Sequence, residues 1–272
     1  MASLVGRTAI VTGASAGLGL AITQELASRG ARVLMCSRDK IRLNKAAKQI
    51  ASYLTDNGPS SGARKWYTPL TMPGDITEPE TADRLAEMAK QAFGGIDILI
   101  CNAGGPPPGN FDECSDEMWQ NAFNLILQSP IRTIRSCLPL LQESEAGRVV
   151  FIASISGYQP VPRLLLSNTL RPGLMGLTKH LASEFAEDGI LVNAIAPGFF
   201  DTDRSREVMQ SIADREDETL STIQKRITDR IPLGRQGKPA ELGHLVSYLV
   251  SMENSFITGQ TVPVDGGFLI SP

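Results

Sequence analysis

Thr12-Gly13-Ala14-Ser15-Ala16-Gly17-Leu18-Gly19 lies between a short apolar run, Thr8 to Thr12, and an amphipathic segment that ends near Arg29-Gly30. Read as strand, glycine turn and helix, it is the opening of a βαβ unit. Glycines let the backbone turn sharply and approach a bulky anion, while the helix start offers unpaired N–H groups and a positive dipole end. Gly13, Ser15, Gly17, Leu18 and Gly19 are therefore candidate pyrophosphate contacts. Their spacing is Gly-x-x-x-Gly-x-Gly, not the G-x-G-x-x-G of long-chain dehydrogenases. A structural turn without ligand is the competing reading, and the position after a first strand favours the phosphate.

Outward from this loop the same alternation runs to the end of the chain. Further strands are predicted at Arg32 to Cys36, Trp66 to Met72, Ile96 to Cys101, Arg148 to Ala153, Ile190 to Ile195 and Gln260 to Val264, with helical spacing between them. Nearly continuous apolar strands imply burial on both faces, hence an α/β fold: a doubly wound parallel sheet of about seven strands with helices on both sides. No linker divides the 272 residues, so residues 1–272 read as a single domain. Two stretches break the rhythm. Asp56 to Gly62 is turn-rich and reads as a solvated connection. Residues 199–230 form a charged helical insertion; its place after the sixth strand suits a substrate lid, since ligands bind at the carboxyl edge of such sheets.

Composition narrows the partners. The net charge is −3, and no Lys/Arg block exceeds a pair, so no nucleic-acid partner is expected. The longest apolar runs, near Ile96 to Ala103 and Ile190 to Pro197, fall short of the ~18–20 residues that span a bilayer, so no membrane partner is expected either. The N-terminus lacks the basic-then-apolar pattern of a signal peptide, and a cytoplasmic protein is expected. Cys36, Cys101, Cys114 and Cys137 are too dispersed for a metal or redox pair and read as buried or incidental thiols; with His180 and His244 they suggest no metal.

At the end of the second strand, about twenty residues beyond the glycine loop, NAD-dependent folds place an acid against the adenosine ribose. Here the chain reads Cys36-Ser37-Arg38. Without a carboxylate to repel a 2′-phosphate, and with Arg38 able to grip one, NADP(H) is favoured over NAD(H). A merely solvated Arg38 is the alternative, and Asp39 would place an acid near the ribose if the register slipped by one.

These motifs, in order along essentially the whole chain, resemble the short-chain dehydrogenase/reductase family. Asp75 after the third strand, Asn102-Ala103-Gly104 after the fourth, Pro197-Gly198 with Thr202 after the sixth, and Ile257-Thr258-Gly259-Gln260…Val264-Asp265-Gly266-Gly267 complete the likeness. Ile231-Pro232-Leu233-Gly234-Arg235 looks most like the β-ketoacyl-acyl carrier protein reductase branch. The resemblance implies a Rossmann-like domain with Asp75 and Ile76 beside the adenine. It places Asn102, Ala103 and Gly104 along the cofactor's centre, and Pro197, Gly198 and Thr202 at the nicotinamide amide. It also implies a homodimer or homotetramer through the helices predicted at Asp116 to Leu141 and Leu164 to Glu187.

The family's catalytic set is Asn, Ser, Tyr and Lys, and here the chain departs from it. Ser154 matches the serine. Thirteen residues on, the tyrosine position is Ser167 and the lysine position is Arg171. The asparagine position falls on Ile126, with Asn124 on another helical face. The four tyrosines, Tyr53, Tyr67, Tyr158 and Tyr248, are followed four residues later by Asn57, Thr71, Pro162 and Met252, so no Tyr-x-x-x-Lys exists anywhere.

A serine hydroxyl is a far weaker acid than a tuned phenol, and a guanidinium stays protonated. Simple ketone reduction should therefore be poor, because losing a positioned acid typically costs ~10²- to 10⁴-fold. Tyr158 is the nearest replacement donor. Arg171 could hold the cofactor ribose or bind a carboxylate or enolate, although Pro172 argues against Ser167 and Arg171 lying one helical turn apart. The expected activity is NADP(H)-dependent hydride transfer to or from a small carbonyl, enone or iminium substrate. The alternative is a dinucleotide binder without redox turnover, or a scaffold reused for cyclisation or isomerisation.

Overall fold

The strands are β1 (Thr8–Thr12), β2 (Arg32–Ser37), β3 (Leu70–Pro73), β4 (Ile98–Cys101), β5 (Arg148–Ile152), β6 (Leu191–Pro197) and β7 (Thr261–Val264). In the computed structural model, which describes residues 3–57 and 67–270, they form one parallel sheet in the order β3-β2-β1-β4-β5-β6-β7. Every residue of β1, β4 and β5 is buried, as their unbroken apolar runs require. The edge strand β3 begins later than its sequence suggests, because only four residues find partners on β2. Trp66, at the start of the predicted strand, lies outside the described residues, as do residues 58–62 of the predicted loop; Asp56 and Asn57 instead close the second helix.

Helices α1 (Gly17–Ser28), α2 (Lys40–Asn57), α3 (Pro79–Phe93), α4 (Asp116–Phe123), α5 (Ser129–Gln142), α6 (Leu165–Glu184), α7 (Asp203–Glu216), α8 (Leu220–Thr228) and α9 (Pro239–Leu249) fill the crossovers. One apolar cluster joins Ile22, Leu26, Leu43, Ile50 and Leu242 to one face of the sheet. A second joins Leu85, Cys137, Leu140, Leu174 and Phe185 to the other. The stretch read as a continuous helix from Asp116 to Leu141 is interrupted by a π turn at Asn124–Gln128. Such turns leave one residue out of the helical ladder and often border functional sites.

Residues 199–230 form two helices, α7 and α8, with an apolar cluster of their own. Val208, Ile212, Ile223 and Ile227 pack with Ile155, Val161 and Phe268. The ring of Phe199 meets that of Phe268 edge-on at 5.3 Å, and the Arg230 guanidinium lies 4.7 Å over Phe268, so both ends of the insertion are fixed to one aromatic. No helix among the described residues is long and apolar enough to cross a membrane.

Candidate active site

The chain order reverses between β1 and β4, which is where a doubly wound sheet opens a crevice at its carboxyl edge. A cleft of about 750 Å³ lies there. It gathers Gly13, Ser15, Gly17, Leu18, Gly19, Ser37, Arg38, Asp75, Ile76, Asn102, Ala103, Gly104, Ser154, Ser167, Arg171, Pro197, Gly198 and Thr202. Residues from seven separate stretches of sequence thus share one wall.

The glycine loop is built for close approach. Gly13 and Gly17 have φ of +59° and +53°, a region that side chains penalise. A Cβ on Gly13 would lie 2.7 Å from Asn102 Nδ2, and one on Gly19 would overlap the Gly13 carbonyl. Helix α1 leaves this turn with no side chain capping its first N–H groups, so those donors face the cleft as an anion site would require. Asn102 serves the loop itself: its amide donates to the Thr12 and Gly13 carbonyls at 3.1 and 3.2 Å, tying β4 to the turn.

At the ribose end, Arg38 is four-fifths exposed and only loosely paired with Asp75, at 3.9 Å. Asp39 is engaged elsewhere. Its carboxylate accepts from the backbone N–H groups of Ile41 and Arg42, both at 2.9 Å, and so caps α2. The acid beside the ribose motif is therefore a helix cap, and the basic side chain is the one presented to a ligand. Asp75 accepts from the backbone and hydroxyl of Thr77 at 2.9 and 2.7 Å through one oxygen, leaving the other toward Arg38. These features fit a dinucleotide carrying a 2′-phosphate.

The opposite end holds Ser154, Ser167 and Arg171. The tension raised by Pro172 is resolved against the sequence expectation: α6 runs through Pro172 unbroken, so Ser167 and Arg171 stand one turn apart, both buried. Packing overrides local preference here. A Cβ on Gly157 would come within 2.5 Å of Met175 Sδ, and one on Gly173 within 3.3 Å of Leu127, so α6 is held tightly between the two segments that flank it. Arg171 donates to the Ile152 carbonyl at 2.7 Å, yet among the described residues its Nε has no partner and no carboxylate pairs with it. Burial first, and the charge of Arg204 second, push its pKa down to about 10. The Ser167 hydroxyl makes no hydrogen bond among the described residues. Ser154 Oγ accepts from the Ser156 backbone at 3.1 Å, leaving its own proton free to donate.

Tyr158 does not belong to this site. Its hydroxyl donates to the Thr261 carbonyl on β7 at 2.7 Å, and its ring is absent from the cleft wall. The short turn at Ile155–Gly157 separates it from Ser154, and proximity in sequence could not reveal the bond to β7. Among the described residues lining the cleft there is neither tyrosine nor lysine. Ile126 is buried and Asn124 accepts from Gln120 on the outer side of its helix, so the π turn contributes Leu125 rather than an amide. Burial raises the Cys36 and Cys137 thiols to about 12, which removes them as nucleophiles near neutral pH.

Sequence reading missed Arg42, Asp203, Arg204 and Glu207, all of which line the cleft. Arg204 lies flat against Gly105, where a Cβ would be 2.6 Å from its Nη2; it donates to the Pro106 carbonyl at 2.6 Å and pairs with Glu207 at 3.0 Å. Only the glycine at 105 hinted at so close an approach.

Comparisons with known proteins agree with this geometry. Residues 13–269 match the family described as enoyl-(acyl carrier protein) reductase. A ketoacyl reductase of the granaticin polyketide synthase from Streptomyces violaceoruber is 34% identical over 265 residues, covering 95% of this chain and 92% of its own. L-Sorbose reductase from Gluconobacter frateurii, solved with NADPH and L-sorbose, superposes with a TM-score of 0.89 at 28% identity over 99% of both chains. An NADPH-bound short-chain oxidoreductase from Pseudomonas aeruginosa, described as containing an atypical catalytic center, superposes with a TM-score of 0.87 at 28% identity over 100% of both. With its glycine loop, sheet order and cleft in place, the chain belongs to the short-chain dehydrogenase/reductase family, in the branch of the ketoacyl reductases.

Proposed function

We propose that this protein is an NADP(H)-dependent oxidoreductase of divergent type, which transfers hydride at an enone or iminium carbon better than at a simple ketone. One observation carries the reading: Arg171, buried and with no carboxylate partner among the described residues, faces a cleft with Ser154 and Ser167 whose described lining holds no phenol or amine. The reductase relatives, two of them solved with NADPH, support the redox class and the cofactor. The glycine loop and α1 would hold the pyrophosphate, and Arg38 the 2′-phosphate. When bound, the reduced nicotinamide supplies a hydride.

The chain's own residues then decide which acceptor suits it. A ketone needs a proton on its oxygen as hydride arrives, and two serines and a guanidinium are poor acids. An enone attacked at its β-carbon sends its electron pair to the oxygen, where Ser154, Ser167 and Arg171 can donate hydrogen bonds without losing a proton; the α-carbon is protonated later from water. An iminium carbon becomes a neutral amine and needs no proton at all. Fixed donors in a dry cleft are worth far more than in water. Residues 199–230 act in this reading as the lid that keeps the cleft dry, with Phe199 and Val208 turned toward it. A homodimer or homotetramer fits the family resemblance.

The test supplies NADPH with matched cyclic ketone, enone and imine panels. Turnover is expected with enone or imine at least about tenfold above the ketone, and Ser167→Ala should lower it by about tenfold. Fast ketone turnover unaffected by Ser167→Ala would overturn the reading, and NADPH binding with no oxidation of the nucleotide by any panel would favour a non-redox binder. Tyr158→Phe provides a separate check. Because its hydroxyl is committed to β7, kcat should stay within about twofold of wild type, the effect of losing one partly exposed hydrogen bond being mainly on stability, about 1 kcal/mol.

A further inference from the structure

We propose that Arg42 is exchanged between two anions, the Asp203 carboxylate at the start of α7 and the 2′-phosphate of NADP(H), so that the phosphate also loosens the lid's first turn. The proposal rests on the NADP(H) reading above. Arg38 and Arg42 lie four residues apart at the β2–α2 junction and both border the cleft. Arg42 Nη2 stands 3.1 Å from Asp203 Oδ2, with both side chains at least half exposed. An exposed pair of this kind is weak. A phosphate monoester brings close to two negative charges and three acceptor oxygens, and planar guanidinium groups bind it through paired hydrogen bonds.

Losing Arg42 does not strand Asp203. Arg206 reaches the same carboxylate at 3.4 Å and Asp201 at 3.6 Å. As the first residue of α7, Asp203 is also favoured by the helix dipole. What is lost is the cross-link from α2, on the cofactor wall, to α7, on the lid. Thr202 caps α7 through Ser205 at 3.2 Å while lining the cleft, so a change in this first turn adjoins the nicotinamide end expected for Thr202. NADPH and NADH would then leave the lid in different states although their nicotinamides are identical.

The experiment titrates the full chain with NADPH, NADH and 2′,5′-ADP, and follows backbone hydrogen exchange over residues 203–207 at saturation with each dinucleotide. Arg42→Ala is expected to weaken NADPH and 2′,5′-ADP about tenfold and NADH less than twofold, with Arg42→Lys recovering most of the loss. Asp203→Asn removes the competitor and should tighten NADPH about two- to threefold, leaving NADH unchanged. Exchange at 203–207 should be faster with NADPH than with NADH in wild type, and the difference should vanish in both Arg42→Ala and Asp203→Asn. Equal weakening of both dinucleotides by Arg42→Ala, no weakening of either, or identical exchange with both would overturn the proposal. Failure of wild type to bind either dinucleotide would instead overturn the NADP(H) reading beneath it.

Discussion

Gly19→Ala is expected to abolish measurable dinucleotide binding, an affinity loss of at least about 100-fold, while the chain still folds. The added Cβ would overlap the Gly13 carbonyl oxygen and lie 2.6 Å from Asn102 Nδ2. Neither neighbour can yield cheaply. Asn102 is fixed by its bonds to the Thr12 and Gly13 carbonyls, and its backbone N–H is held by the Thr12 hydroxyl at 3.0 Å. Overpacking of this kind typically costs about 1–3 kcal/mol of stability. Relief requires α1 to move away from the turn, which takes its free N–H groups out of line with a pyrophosphate. Nucleotide fluorescence titration and thermal melts read the two effects separately. Gly176→Ala is the control, since nothing lies within 4 Å of a Cβ there; a helical glycine replaced without a clash should gain about 0.5–1 kcal/mol and leave binding unchanged.

Arg171→Met is expected to move stability and activity in opposite directions. The guanidinium is buried with an unpartnered Nε, and its pKa falls well below the ordinary arginine value, to about 10. Because the folded value is the lower one, both states are charged at neutral pH and the burial penalty is fully present. It would be relieved only as pH rises above about 10. The drop corresponds to roughly 3 kcal/mol, at about 1.4 kcal/mol per unit. Replacing an unpaired buried charge by an apolar side chain of similar length is often stabilising, less about 1 kcal/mol for the Ile152 carbonyl left without its donor. A net gain of about 1–2 kcal/mol follows, seen as a Tm higher by a few degrees. Turnover should nevertheless fall about 10²- to 10³-fold, the usual cost of removing a donor aimed at developing negative charge. A purely structural Arg171 would lower Tm and kcat together.

Much of this site is legible in the sequence, for a physical reason. The cofactor end is built from backbone geometry, and glycines at 13, 17 and 19 announce close approach through composition alone. Strand positions follow from apolar runs, so β1 through β7 lie close to where periodicity puts them, while their order in the sheet comes from the structure; the exception is the short edge strand β3, whose length depends on its one neighbour. The substrate end was harder. Ser167 and Arg171 are marked by their positions, but Pro172 argues locally against their alignment, and the tight packing at Gly157 and Gly173 accompanies a helix that runs unbroken through it. Tyr158 lies elsewhere because the short turn at Ile155–Gly157 separates it from Ser154 and its hydroxyl bonds to Thr261 on β7, which residue spacing does not encode. Arg42, Asp203, Arg204 and Glu207 carry no pattern of their own. Their roles come from ion pairs between segments far apart in sequence, and a charged surface helix with or without such partners reads the same.

If Ser154, Ser167 and Arg171 only hold charge, as proposed, hydride moves here without a proton moving in the same step. It is tested most directly by the solvent deuterium isotope effect on single-turnover NADPH oxidation, measured with the fastest substrate of the enone and imine panels and with C4-deuterated NADPH as a monitor that hydride transfer is being observed. A solvent effect of about 1 is expected alongside a clear effect of the C4 label if no group in the cleft acts as a general acid in that step. A solvent effect of about 2 or more, expressed together with the label, would show a proton in flight during hydride transfer and contradict it.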